Sequence, residues 1–293
     1  MGGSSIAFVI EKGGTGKSTV TFNVGWALSE GKRVLLIDLD GQKANLTYFC
    51  GIDKEGIKTI KDILDGTSSL EDSVVSIKDG LDILPGDDSL IRIGSPQHFK
   101  AVSKQRRFKE FVEEFEDANE DFDLDKGNLY QLYLIEEMQR IINNACRDYD
   151  FVLLDPNPSP NYLHTLALCS ARYIIIPVLP DAASIESDEG TAESLKLIRE
   201  EGLNDMVEVL GILFNRYTER TNLSKQVREL IEEFAEEMGT SVFDSTIRNS
   251  VVLSECVGMH IGITDYRPNS PAAADVKAVA AEIQRRIDHD SVR

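Results

Sequence analysis

Residues 4–38 read SSIAFVIEKGGTGKSTVTFNVGWALSEGKRVLLID, and this stretch decides the fold. Residues 4–10 are apolar and β-branched, the pattern of a buried strand. Residues 11–16 form a glycine-rich turn. Residues 17–30 predict a helix with Val20, Val24, Ala27 and Leu28 on one face, and Gly31 ends it. Residues 33–38 (RVLLID) predict a second buried strand. Strand, tight loop, helix and strand over about 35 residues make a βαβ unit, so the two strands lie parallel.

The turn inside that unit, KGGTGKST at 12–19, has the makings of a phosphate loop. Gly13, Gly14 and Gly16 let backbone amides turn inward around phosphate oxygens without Cβ clashes. Lys17 is spaced to reach β- and γ-phosphates, and Ser18 to ligate magnesium. The helix that starts here adds its positive N-terminal dipole. The expected nucleotide contacts are therefore Lys12, Gly13, Gly14, Thr15, Gly16, Lys17, Ser18 and Thr19. The usual pattern has glycine where Glu11 stands, and an unrelated glycine turn is the alternative. The strand before and the helix after favour the phosphate loop.

Working outward, apolar runs at 81–84, 151–154, 173–178 and 207–214, with a short one near 242–247, predict further strands. Helical patterns fall between and after them, at 59–64, 129–145, 187–200, 223–237 and 271–287. This alternation predicts an α/β fold with a doubly wound, mostly parallel sheet flanked by helices, and the phosphate loop at 12–19 makes the expected type a P-loop NTPase. The 293 residues, with no Pro- or Gly-rich linker, are read as a single domain, 1–293.

Residues 95–135 differ from the rest. Lys100, Lys104, Arg106, Arg107 and Lys109 crowd residues 99–111, and an acidic stretch follows at 113–125. One reading is a solvated helix and loop inserted between two strands. The other is a basic arm for DNA or a partner.

Two acidic segments bear on the phosphate loop. Residues 38–47 read DLDGQKANLT, which puts Asp38 and Asp40 at the carboxyl end of the second strand, where water or magnesium needs organising. Residues 151–155 read FVLLD, a buried strand that delivers Asp155 to magnesium.

Composition limits the function classes. The net charge of −19 opposes binding to bulk DNA or anionic lipid unless a local basic patch overrides it. A solubilising surface and adaptation to a salty cytoplasm both account for it. Residues 6–10 are too short for a signal-peptide core, and no run approaches about 18 apolar residues, so the expected compartment is the cytoplasm. Cys50, Cys146, Cys169 and Cys256 form no C-x-x-C pair, which argues against a zinc knuckle or a disulfide framework.

Lysine at position 12, directly ahead of GGTGK, resembles the deviant Walker A group, which includes ParA, Soj, MinD and nitrogenase iron protein. The resemblance implies that Lys12 reaches across a dimer interface to the partner's nucleotide, as an arginine finger does, so that hydrolysis depends on dimerisation. DLDGQKANLT is similar to the DLDPQ-x-N-LT segment of ParA proteins, with Gly41 in place of proline. By that match Asp40 orients the attacking water and Asp38 supports the metal shell. A capping or solvent-facing role for one of the pair, Asp38 before Asp40, is the alternative. ParA proteins continue the Asp155 strand as D-x-P-P-S, whereas here Pro156, Asn157, Pro158 and Ser159 follow.

Further segments resemble ParA in the same order. They are Ile176-Pro177-Val178 with Pro180-Asp181, the 211–215 run followed by TERTNLSKQV, the 252–255 segment with Tyr266, and the closing helix from Pro271. The match spans nearly the whole chain outside about 95–135. In related ATPases an asparagine at the place of Asn215 reads the adenine edge; a turn residue is the other reading. Arg220 falls on the RTNL arginine that serves non-specific DNA binding in Soj-like proteins. A second basic contact of the family is lost to valine here, Arg248 stands one place out of register, and Lys104, Arg106 and Arg107 are candidates to compensate.

The resemblance thus implies an ATP- and magnesium-dependent partition ATPase. ATP closes a homodimer that holds non-specific DNA at the nucleoid, and a ParB-like partner stimulates slow hydrolysis. A positioning ATPase for a protein cargo has the same chemistry. A MinD-like membrane switch would need an amphipathic basic tail, and EIQRRIDHDSVR at 282–293 is polar and short of large apolar residues. An iron–sulfur reductase would need paired bridging cysteines, and Cys146 and Cys169 sit in the wrong contexts.

Overall fold

The computed structural model describes residues 2–53, 55–118, 125–158, 161–181, 183–218 and 222–290. β1 (Ser4–Phe8), α1 (Lys17–Leu28) and β2 (Val34–Leu39) follow the order read from residues 4–38. β3 (Val75–Lys78) and β4 (Leu81–Leu84) come next, followed by β5 (Phe151–Pro156), β6 (Tyr173–Val178), β7 (Glu208–Tyr217) and the two-residue β8 (Ile247–Arg248). The eight strands form one sheet in the order β3-β4-β2-β5-β1-β6-β7-β8. All neighbours pair in parallel except β3 and β4.

The central strands are buried on both faces, which is why their sequences run apolar without alternation. Successive residues nevertheless serve opposite cores. Ile6, Phe8, Leu36 and Leu153 face one layer, and Ala7, Leu35, Ile37, Val152 and Leu154 face the other. The first layer holds α1, α11 (Val251–Gly258) and α13 (Pro271–Asp290). The second holds α7 (Lys126–Asp148), α8 (Tyr162–Ser170) and α10 (Asn222–Glu237). Each fully buried Leu or Ile contributes about 1.5–3 kcal/mol, so this double layer is the main stabilising term.

The strand expected at 242–247 is reduced to one bridge, Ile212 to Val242, and to β8. Ser241 and Phe243 instead hydrogen-bond Ile212 at a bend. The described part of 95–135 lies between β4 and β5 and exposes Lys100, Lys104, Arg106, Arg107 and Lys109, while its other face is packed. α5 (Pro96–Val102), α6 (Arg106–Ala118) and the start of α7 enclose an aromatic cluster. Phe108 stands 5.2 Å from Tyr133 and 6.2 Å from Phe99, and Phe99 stands 5.1 Å from Tyr130, ring centre to ring centre. Phe108 is 5% exposed and belongs to the core. Phe108→Ala should therefore destabilise the fold by about 3–5 kcal/mol, read as a lower urea midpoint; a change within about 0.5 kcal/mol would mean that this face is not part of the core.

Candidate nucleotide-binding site

In an open parallel sheet, the carboxyl ends of the strands lie on one side, and ligands bind in the crevice there. β1, β2, β5 and β7 end on that side and deliver the phosphate loop, Asp38 and Asp40, Asp155 and Asn215. Gly14 and Gly16 have φ of 83° and 82°, which glycine alone adopts without strain. A Cβ on Gly13 or Gly14 would meet nothing within 4 Å, so the loop leaves room where a phosphate would approach. Gly16 caps α1, and the first turn of that helix carries Lys17, Ser18 and Thr19.

Gly16 also touches Asn215, and a Cβ there would lie 2.5 Å from Asn215 Nδ2. Asn215 is buried. Its Nδ2 donates to the Thr15 carbonyl oxygen at 2.6 Å, and its Oδ1 accepts from the Arg216 amide at 2.9 Å. Asn215 thus fastens the end of β7 to the phosphate loop, a contact that sequence reasoning missed. Thr15 is buried beneath the same contact.

The Lys17 ammonium, 6% exposed, donates to Asp155 Oδ1 at 2.5 Å and to the Pro156 carbonyl. The second oxygen of Asp155, Oδ2, is buried and finds no hydrogen-bond donor among the described residues. A buried oxygen left without a donor in that position fits a metal-bound water. Among the described residues no three His, Cys, Asp or Glu side chains gather to hold a metal by themselves. The residues present would suit magnesium that arrives with phosphates, and Ser18 and Asp155 are the ones that would hold it.

Asp38 pairs in register with Asp155 across β2 and β5 and is fully buried, which removes the solvent-facing alternative. Its Oδ2 accepts from the Thr47 amide at 2.8 Å and hydroxyl at 2.7 Å, and its Oδ1 from the Asp40 amide at 3.0 Å. Asp38 therefore anchors the 40–47 turn. Burial, and then the charge of Asp155, push its carboxyl up to about 7. A dication beside Asp155 would offset that repulsion.

Asp40 is 4% exposed. Its Oδ1 accepts from the amides of Gln42 at 2.9 Å and Lys43 at 3.3 Å, and from Asn157 Nδ2 at 2.9 Å. Gly41, where ParA proteins carry proline, has a local cause: a Cβ would come within 2.9 Å of the Ile91 amide nitrogen and 3.0 Å of Leu90 Cβ. The 3₁₀ turn at Asp88–Arg92 packs against this loop and admits glycine only.

Lys12 lies on its own chain, with Nζ 3.0 Å from Asp181 Oδ1 and the two side chains 27% and 44% exposed. Pairs this open contribute about 0–1 kcal/mol, so Lys12 can leave Asp181 at little cost.

The candidate DNA contacts are less well placed. Arg248 forms a two-pronged pair with Asp275, at 2.6 and 2.8 Å. Arg106 pairs with Glu110 at 2.7 Å, and Arg107 with Glu137 at 2.5 Å. Lys104 is exposed. Arg220 lies outside the described residues. No helix of the described residues is long and apolar enough to cross a membrane.

Comparison with known proteins agrees with this geometry. The family model described as "AAA domain" matches residues 3–209. The chromosome-partitioning ATPase Soj of Thermus thermophilus is 30% identical over 285 residues, covering 96% of this chain and 96% of the relative. Among solved structures, apo McdA from Cyanothece superposes with a TM-score of 0.76 at 17% identity, covering 97% of this chain and 99% of McdA. The septum site-determining protein MinD of Pyrococcus horikoshii, solved with Mg-ADP, gives 0.67 at 24% identity over 96% of each chain.

Proposed function

The chain belongs to the ParA/MinD family of AAA-domain ATPases, and from that premise we propose that it is an ATP-switched dimer that partitions DNA. One observation carries the reading. The glycine loop that begins α1 carries Lys17 onto Asp155 at the carboxyl end of β5, and Asp40, beyond the neighbouring β2, is joined through Asn157 to the residues that follow Asp155.

Phosphoryl transfer to water calls for positioning and charge neutralisation rather than covalent chemistry. Amides of residues 13–17 and the Lys17 ammonium receive the phosphates. Lys17 then exchanges its bond to Asp155 for phosphate oxygens. Ser18 and Asp155 hold magnesium, which when bound neutralises charge on the β- and γ-phosphates. Asp40 orients the attacking water. Lys12 leaves Asp181 and reaches the nucleotide of the partner subunit, so turnover waits for the dimer. Asn215 stands at the nucleotide side of β7, where it can address the base as well as the phosphate loop. The dimer holds DNA non-specifically, and an adaptor of the ParB kind releases it by stimulating hydrolysis.

A second reading is a positioning ATPase for a protein cargo. It is favoured by one observation: Arg106, Arg107 and Arg248 are matched by carboxylates of the same chain, which lowers the positive field available to phosphate. The test is DNA binding by Asp40→Ala with Mg-ATP and with Mg-ADP, across a salt series that reaches molar salt. Partition predicts a shift with ATP only, weakening steeply as salt rises. No shift at any salt, with an ATP-dependent dimer intact, would select the protein cargo.

A further inference from the structure

We infer that Asn157 is a positioning residue for hydrolysis, whose side-chain amide sets the orientation of Asp40 and ties it to the loop that follows Asp155. The inference rests on the reading of Asp40 as the residue that orients the attacking water.

Asn157 is 2% exposed and lies two residues beyond the magnesium carboxylate. Its Nδ2 donates to Asp40 Oδ1 at 2.9 Å, between residues 117 apart in the chain. Among the described residues, every donor to the Asp40 carboxylate addresses Oδ1: the Gln42 and Lys43 amides from below and Asn157 from the neighbouring strand end. The two amides belong to Asp40's own turn and move with it. Asn157 is the donor that comes from elsewhere, so it fixes the carboxylate against β5. With Oδ1 fixed, Oδ2 is the oxygen presented to water.

The backbone of Asn157 is held as well. Its carbonyl oxygen accepts from His164 Nδ1 at 3.3 Å, and the His164 amide donates to Asn161 Oδ1 at 3.1 Å, at the start of α8. His164 is 2% exposed, and burial lowers its pKa, so a neutral ring with its hydrogen on Nδ1 suits this bond. One residue earlier, the Pro156 carbonyl takes a hydrogen bond from Lys17. The same short loop is thus gripped by the phosphate-binding lysine at Pro156 and by the water-orienting carboxylate at Asn157. A shift of Lys17 toward a phosphate releases Pro156 and is felt next at Asn157. Proline at this position, as in the D-x-P-P-S pattern, has no side-chain donor, so the device belongs to this sequence.

The test combines kinetics with a signal independent of turnover. Asn157→Ala should lower kcat about tenfold to a hundredfold, the scale of a misplaced catalytic group, with KM and the Kd of a fluorescent ATP analogue within about twofold. In an Asp40→Ala background the same change should lower the rate no further. In protein labelled with ¹⁵N-asparagine, the side-chain amide signal of Asn157 should shift and exchange faster with solvent once Asp40 is alanine. Should Asn157→Ala not fold, Asn157→Asp keeps the shape, removes the donor and should show the same loss of kcat. A wild-type kcat in the Asn157 variants, an equal loss in the Asp40→Ala background, or an amide signal indifferent to Asp40 would overturn the inference alone. Wild-type turnover by Asp40→Ala itself would overturn the reading of Asp40 and this inference with it.

Discussion

Lys17→Ala should abolish nucleotide binding and turnover, and should also weaken the fold. Lys17 is 6% exposed, and its ammonium is bonded to a carboxylate that is wholly buried. Removing the cation leaves Asp155 without its counter-charge, and breaking a buried pair in this way costs about 3–5 kcal/mol. On the proposed reading it also takes away the ammonium that receives the β- and γ-phosphates, and turnover should fall by about 10²–10³ or more. Titration with a fluorescent ATP analogue and a urea melt separate the two effects. Binding at wild-type affinity would mean that the loop amides alone hold the phosphates.

Asp40→Ala should have the opposite signature. Hydrolysis should fall by about 10²–10⁴, while the analogue binds as before, because the carboxylate touches neither the loop amides nor Lys17. Its three donors, two amides and Asn157 Nδ2, lose their acceptor, so a stability loss of about 1–3 kcal/mol should accompany the change. Single-turnover hydrolysis set beside equilibrium binding reads both. A protein that neither binds nor hydrolyses would mean that Asp40 builds the loop and does not serve the water.

The part of the molecule that was legible in the sequence is the part written in local pattern. Residues 4–38 announce strand, loop, helix and strand because double burial forces an unbroken apolar run and because the loop needs glycine at positive φ. Asp155 was legible for the same reason, as the first charge after a buried run. β3 was missed because Val75–Lys78 is a short, half-buried edge strand, the one antiparallel member of the sheet. α8 was missed because residues 162–170 are apolar on nearly every side, and a helix buried all round shows no period. The packing of α6 was hidden by its charge. Phe108, Phe111 and Phe115 follow helical spacing, but Tyr130 and Tyr133, against which Phe108 and Phe111 pack, lie in the next helix.

Within the site, Asn215 at the phosphate loop and Asn157 at Asp40 were illegible because each bond joins residues more than 100 positions apart. Asp38 read as a support of the metal shell, with a capping or solvent-facing role as the alternative. The structure gives it the Thr47 and Asp40 donors, partners in a loop that the sequence pattern does not specify.

On the proposed reading, ATP joins two copies of this chain through Lys12. The most direct test is the mass in solution of Asp40→Ala protein with Mg-ATP and with Mg-ADP, repeated after Lys12→Ala. The account predicts twice the chain mass with ATP, one chain mass with ADP, and loss of the ATP-dependent dimer when Lys12 is alanine. A single-chain mass with ATP demonstrably bound, or a dimer indifferent to nucleotide and to Lys12, would contradict it.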